Sequence, residues 1–128
     1  MKRLMLLLLS VMLLTACGQD KENDREVTYM NITAQEAKRI MDSEEGYIIL
    51  VVRTQEEYDE GHIPGASLIP YTQIDARAEE VLTDKDQLIL IYCRSGRRSK
   101  IAAEALVELG YTNIKEFGGI IDWPYEVE

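Results

Sequence analysis

The chain has 128 residues, with 14 basic and 23 acidic side chains and a formal charge of −9. That balance argues against nucleic acid as a partner and against electrostatic attraction to anionic lipid headgroups. A small anionic substrate stays open, because at physiological salt charges are screened beyond about 8 Å and local cations outweigh remote carboxylates.

At the N-terminus, Lys2 and Arg3 precede a nearly unbroken apolar stretch from Leu4 to Leu14, followed by Thr15-Ala16-Cys17. A positive start, a short apolar core and small residues before a cleavage point are the layout of a secretory signal, with a core short for a membrane span. An ordinary cleaved signal or a short anchor helix has the same outline. With Cys17 directly after Ala16, the segment resembles the bacterial lipobox, which implies that residues 1–16 are a lipoprotein signal peptide and that Cys17 carries the lipid. Two acyl chains anchor stably, since each buried CH₂ contributes about 0.8 kcal/mol. The expected location is then extracytoplasmic, tethered to the bacterial cell membrane. Taking Lys2 and Arg3 from the 14 basic residues leaves 12 against 23 acidic, a formal −11 on the processed chain.

Gly18 to Glu26 contains no large apolar residue, so residues 17–26 are expected to form a flexible tether. Residues 27–128 are expected to form one small domain with a single core. Only two cysteines are present. In an exported protein a pair invites a disulfide, but a lipidated Cys17 cannot form one, which leaves Cys93 as a free thiol with no resolving partner in the chain.

Within the domain, Thr33-Ala34-Gln35-Glu36 is a capping box ahead of an apolar stripe at Ala37, Ile40 and Met41, predicting a helix that ends before Gly46. Tyr47 to Val52 is a continuous apolar run, suited to a strand covered on both faces, and Leu88 to Tyr92 is another. Between them the pattern predicts a short helix over 55–60 stopped by Gly61, a short strand over 67–69, and a helix over 73–82. Ser99 is expected to cap a helix whose apolar face is Ile101, Ala102, Ala105, Leu106 and Leu109, ended by Gly110. A last strand is expected over 113–117. Strands alternating with helices imply an α/β fold with a mostly parallel sheet and a site at the strand carboxyl ends.

Cys93 falls at such an end, followed by Arg94-Ser95-Gly96-Arg97-Arg98-Ser99. A lone cysteine after an apolar strand is often no more than a small buried hydrophobe. Here the residues that follow pack poorly and turn well, and Gly96 lets the backbone aim its amides inward. Amides at a helix start, together with Arg94, Arg97 and Arg98, favour negative charge and a readily ionised thiol. Cys93 is therefore the candidate nucleophile, in an anion-binding loop formed by Arg94, Ser95, Gly96, Arg97, Arg98 and Ser99.

Three segments together resemble the rhodanese-like domain family, from about Val27 to the C-terminus. Val52-Arg53-Thr54-Gln55-Glu56-Glu57-Tyr58 with Gly61-His62-Ile63-Pro64-Gly65-Ala66 is similar to its first signature. Cys93 to Arg98 is similar to its Cys-x-x-Gly-x-Arg loop, and Gly118-Gly119 with Trp123 to its C-terminal signature. The resemblance implies a rhodanese-like fold and a sulfurtransferase that needs neither metal nor cofactor. A thiosulfate or persulfide donor would load Cys93 as a persulfide, and a thiol, cyanide or protein acceptor would unload it. Related phosphatases and arsenate reductases carry a loop of form Cys-x5-Arg, whereas position 99 here is Ser99, so sulfur is favoured over phosphate. The family pattern usually has Asp where this chain has Val51. Arg53 and Glu57 are expected to form a structural ion pair, and His62 to belong to a turn. A non-catalytic binding or sulfur-carrier module and a redox-sensing thiol are the competing readings of the same loop.

Overall fold

The structure, a computed structural model, describes residues 28–128. The signal peptide, Cys17 and the tether lie outside the described residues. In chain order the elements are β1 (Met30–Asn31), α1 (Ala34–Ser43), β2 (Ile48–Val51), α2 (Gln55–Glu60), β3 (Ser67–Leu68), α3 (Ile74–Val81), β4 (Ile89–Cys93), α4 (Arg97–Glu108) and β5 (Ile114–Gly119). Single 3₁₀ turns precede α3 at Tyr71–Gln73 and follow β5 at Ile120–Asp122. The strands form one five-stranded sheet in the order β1-β5-β4-β2-β3, and all four pairings are parallel. Parallel neighbours need crossovers, and the helices that supply them cover both faces.

Successive residues of the central strands divide between those faces. Leu50, Val52, Ile89, Ile91 and Cys93 pack with Ala78 of α3 and with Ala102, Ala103 and Leu106 of α4. Ile49, Val51, Leu90 and Tyr92 pack on the other side with Ala37 of α1, Ile63, Phe117 and Trp123. This explains the continuous apolar runs: past the half-buried Ile48, every residue of β2 and β4 is buried on one face or the other. It also places Val51, where the family pattern has Asp, on the face opposite the Cys93 thiol.

Local chemistry sets the helix starts. Thr33 and Glu36 form the expected capping box on α1, and Thr54 with Glu57 forms a second on α2. The structure differs from expectation at α4, which begins at Arg97 with Gly96 as its N-cap at φ +108°. Ser99 is therefore not a cap but lies in the first turn, fully buried. Glycine reaches that left-handed backbone without strain, so the chain enters the helix with no side-chain cap. β1 was not foreseen. Its two exposed residues are strand only because Met30 and Asn31 pair with Lys115 and Glu116.

One irregularity positions the site. Along β4, Ile91 and Cys93 pair with Glu116 and Gly119, so β5 spends one residue more than β4 over the same span. This bulge brings Gly119 against the loop after Cys93. A Cβ at Gly119 would stand 1.9 Å from the Arg94 carbonyl oxygen and 2.5 Å from the Ser95 nitrogen. Both obstacles are backbone, so neither can rotate away.

Gly119→Ala is therefore expected to lower the unfolding free energy by about 2 kcal/mol or more, as overpacking does. At Gly61 an added methyl meets open space. Urea denaturation should rank Gly119→Ala as the costlier change. Equal costs would show that the close pass at Gly119 is unimportant.

Candidate active site

Cys93 ends the central strand with its side chain turned into the α3/α4 side of the sheet, and the residue is 1% exposed. The following loop curls around its sulfur. The Gly96 N–H donates to Sγ at 3.0 Å, and the Ser99 hydroxyl oxygen lies 3.5 Å from Sγ. Burial pushes the Cys93 thiol up; the Ser99 hydroxyl, when its proton points at the sulfur, and the amides of Ser99, Gly96 and Ser95 outweigh it and bring the thiol below its ordinary value. Hydrogen bonding thus carries an effect that the sequence assigned to the loop amides and the arginines together. Cys93 is a free thiol in the structure.

The loop residues fall into two groups. Arg94, Ser95 and Arg97 are exposed, and the Arg97 guanidinium sits 6.0 Å over the Tyr71 ring. These form a cationic rim around the sulfur. Gly96, Arg98 and Ser99 face inward. Arg98 does not stand open to an incoming anion: it makes a bidentate pair with Glu57, at 2.8 Å to Oε1 and 3.1 Å to Oε2. This fork fastens the first turn of α4 to α2, across 41 residues of chain. Oε1 of Glu57 also accepts from the Thr54 N–H at 2.9 Å. One carboxylate thus caps α2 and holds the loop arginine. The expected Arg53–Glu57 pair is present at 3.6 Å but is the weaker of the two.

The remaining sequence candidates are structural. His62 exchanges both backbone hydrogen bonds with Glu128, its Nδ1 lies 2.9 Å from the Tyr58 carbonyl oxygen, and its ring stacks on Tyr58. It fastens the C-terminal segment. Trp123 is buried against Phe117, with Tyr125 edge-on to it.

Two residues of the site escape a reading of the sequence. Glu57 appears only as a helical neighbour of Arg53, and its main partner is far along the chain. Glu116 stands beside Lys115 in the expected last strand, where nothing singles it out, yet it is 2% exposed. It accepts from the Ser99 hydroxyl at 2.5 Å and from the Gly118 N–H at 3.0 Å. Regular alternation from Ile114 puts it on the Cys93 side of the sheet, where the loop before α4 covers it, and nothing local in the sequence announces that cover.

Residues 33–124 match the family described as Rhodanese-like domain. YrkF of Bacillus subtilis, whose name marks it as a candidate sulfur carrier protein, is 35% identical over 112 residues. That alignment takes in 87% of this chain and 60% of YrkF, so the chain spans less than two thirds of that relative. The thiosulfate sulfurtransferase PspE of Escherichia coli is 38% identical over 71 residues, covering 56% of this chain and 68% of PspE. Among solved structures, a rhodanese-like domain protein from Staphylococcus aureus superposes with a TM-score of 0.67 at 32% identity, covering 77% of this chain and 96% of that one.

The Arg98 hydrogen bonds hold the Glu57 carboxyl down to about 2, against an ordinary value of 4.5, with burial opposing and the Thr54 amide and the charges of Arg98 and Arg53 assisting. The unfolded chain takes up this proton near the ordinary value, whereas the folded chain does so only near 2. The stability contributed is therefore full above about 4.5 and disappears as pH falls through about 2. Glu57→Gln should cost about 2 kcal/mol at pH 7, as for hydrogen bonds to charged groups, and much less at the acid end of that window. Urea midpoints at the two pH values check this, and a cost independent of pH would count against the ion pair.

Proposed function

The chain belongs to the rhodanese-like domain family, and on that premise we propose that it is a sulfurtransferase that carries sulfane sulfur as a persulfide on Cys93. The observation that carries this reading is the sulfur of Cys93 enclosed by the amides of its own loop, with a hydrogen bond of 3.0 Å from Gly96. A thiolate held there is a nucleophile, and the same amides stabilise negative charge without a metal.

In the loading step Sγ attacks the outer sulfur of thiosulfate or a similar donor. The new S–S bond forms as the bond to the sulfite group breaks, and sulfite leaves with the electron pair. The persulfide's charge rests on its outer sulfur, which would be held by the amides of Gly96, Ser95 and Ser99 that now act on Sγ. In the unloading step a thiol, cyanide or a protein acceptor attacks that outer sulfur and Sγ departs as thiolate. Arg94 and Arg97, exposed on the rim, attract the anionic donor. Arg98 keeps the loop closed through Glu57 rather than by touching substrate. The short Cys-x4-Arg loop suits a single sulfur atom better than a tetrahedral oxyanion.

The protein works outside the cytoplasm in this reading, tethered through a lipid on Cys17. The supporting feature is the apolar stretch ending in Leu14-Thr15-Ala16-Cys17.

Incubating the purified full chain with thiosulfate should add the mass of one sulfur atom, and Cys93→Ser should show no gain. An equal gain in the variant would overturn the mechanism. In cells, Cys17→Ser should shift the protein from the membrane fraction to the soluble one; unchanged fractionation would remove the lipid anchor from the account.

A further inference from the structure

The Ser99 hydroxyl has one proton and more takers than it can serve. Its oxygen lies 2.5 Å from Glu116 Oε2, 3.2 Å from the Gly96 carbonyl oxygen, 3.4 Å from that of Gly118 and 3.5 Å from Cys93 Sγ. The shortest of these contacts, to a carboxylate, claims the proton. Ser99 then turns a lone pair toward Sγ. A lone pair accepts an S–H but repels an S⁻, so this arrangement suits the thiol. For Ser99 to support the thiolate, its proton must leave Glu116 and point at the sulfur.

We propose that Glu116 is a positioning residue that sets whether Cys93 is held as thiol or released as thiolate, by competing with its sulfur for the single proton of Ser99. Ser99 and Glu116 are 0% and 2% exposed, so no water bath evens out the competition. The ionisable groups around Glu116 come from several elements. Lys100 of α4 places Nζ 3.5 Å from Oε1, and Cys93 of β4 lies beyond Ser99. Arg94 and Arg97 stand on the exposed rim of the loop, and Tyr29, before β1, packs on the same side of the sheet. On its other edge Asn31 of β1, which carries no charge, pairs with Glu116, and the Ile32 N–H donates to the Glu116 carbonyl oxygen.

A second consequence rests on the sulfur-transfer reading above. In the persulfide the charge moves to the outer sulfur, toward the loop amides, and Sγ no longer faces Ser99 as an anion. An ionised Glu116 therefore penalises the bare thiolate and tolerates the persulfide. The loaded form is favoured, and the thiolate that does form is a stronger nucleophile.

The test is the pH dependence of Cys93 alkylation by iodoacetamide in the full chain, which requires no sulfur donor. Its outcome is therefore independent of whether the protein transfers sulfur. Glu116→Gln keeps the shape, removes the charge and can donate to Ser99, freeing the hydroxyl proton for Sγ. The alkylation midpoint should fall by about one unit or more, a tenfold change in the thiol–thiolate equilibrium. In a Ser99→Ala background the same change should produce little or no fall. Ser99→Ala alone should move the midpoint by less than about a third of a unit, because its proton is already committed elsewhere. An unchanged midpoint in Glu116→Gln, or an equal fall with and without Ser99, overturns the proposal. So does a rise of about one unit in Ser99→Ala, which would mean that the hydroxyl already serves the sulfur. Should Glu116→Gln not fold, Ser99→Ala alone decides.

Discussion

Where β5 passes the loop that follows Cys93, the two backbones meet so closely that a methyl group on Gly119 would lie 1.9 Å from the Arg94 carbonyl oxygen. Much of the site depends on that approach. Arg94 and Ser95 can close toward β5 only because position 119 has no side chain, and Ile121 then donates its N–H to the Arg94 carbonyl oxygen at 3.2 Å. The extra residue in β5 brings Gly119 level with Cys93, and Glu116, just before it, lies under the loop by regular alternation. The loop is thus fixed from below by Glu116 through Ser99 and from the side by Glu57 through Arg98. Its amides converge on one sulfur before any substrate arrives, and such preorganised dipoles need no rearrangement during reaction.

The same geometry would reconcile an acidic protein with the anionic donor of the proposed function. A formal charge of −9 would repel thiosulfate at long range, but screening confines that repulsion to about 8 Å. Inside that distance the site presents the exposed Arg94 and Arg97 and then a ring of N–H groups. On the proposed function the two roles are separate: the rim cations would bring the anion in, and the amides would hold the charge that develops on sulfur. Arg98, the arginine most tightly bound, serves neither role directly. Its ion pair with Glu57 is structural, and its effect on the sulfur is to keep the loop in place.

Much of this was legible from the residues alone. Apolar runs at 47–52 and 88–92 marked the doubly covered strands, and Thr33 with Glu36 marked the start of α1. Gly61 stopped α2 where expected. The loop from Cys93 to Ser99, between a buried strand and a helix, pointed to an anion-binding thiol. The misses share a physical cause. α4 starts at Arg97 rather than Ser99 because Gly96 caps through backbone conformation, which carries no side-chain signal. β1 has no apolar pattern, since its strand character comes from pairing with β5. Glu57–Arg98 spans 41 residues, and Glu116 is covered by the start of α4 through Ser99 and Lys100, so neither contact follows from local periodicity. What sequence conveys well is which segments fold and where the chemistry lies. What it hides is the wiring that tunes the chemistry.

The central claim is that Cys93 in its amide ring transfers sulfur. The most direct test is steady-state transfer from thiosulfate to cyanide by the full chain, with Cys93→Ser measured alongside. Turnover by the native protein that vanishes in the variant is the predicted result. A folded native protein without turnover, or a variant that turns over as fast, would contradict it.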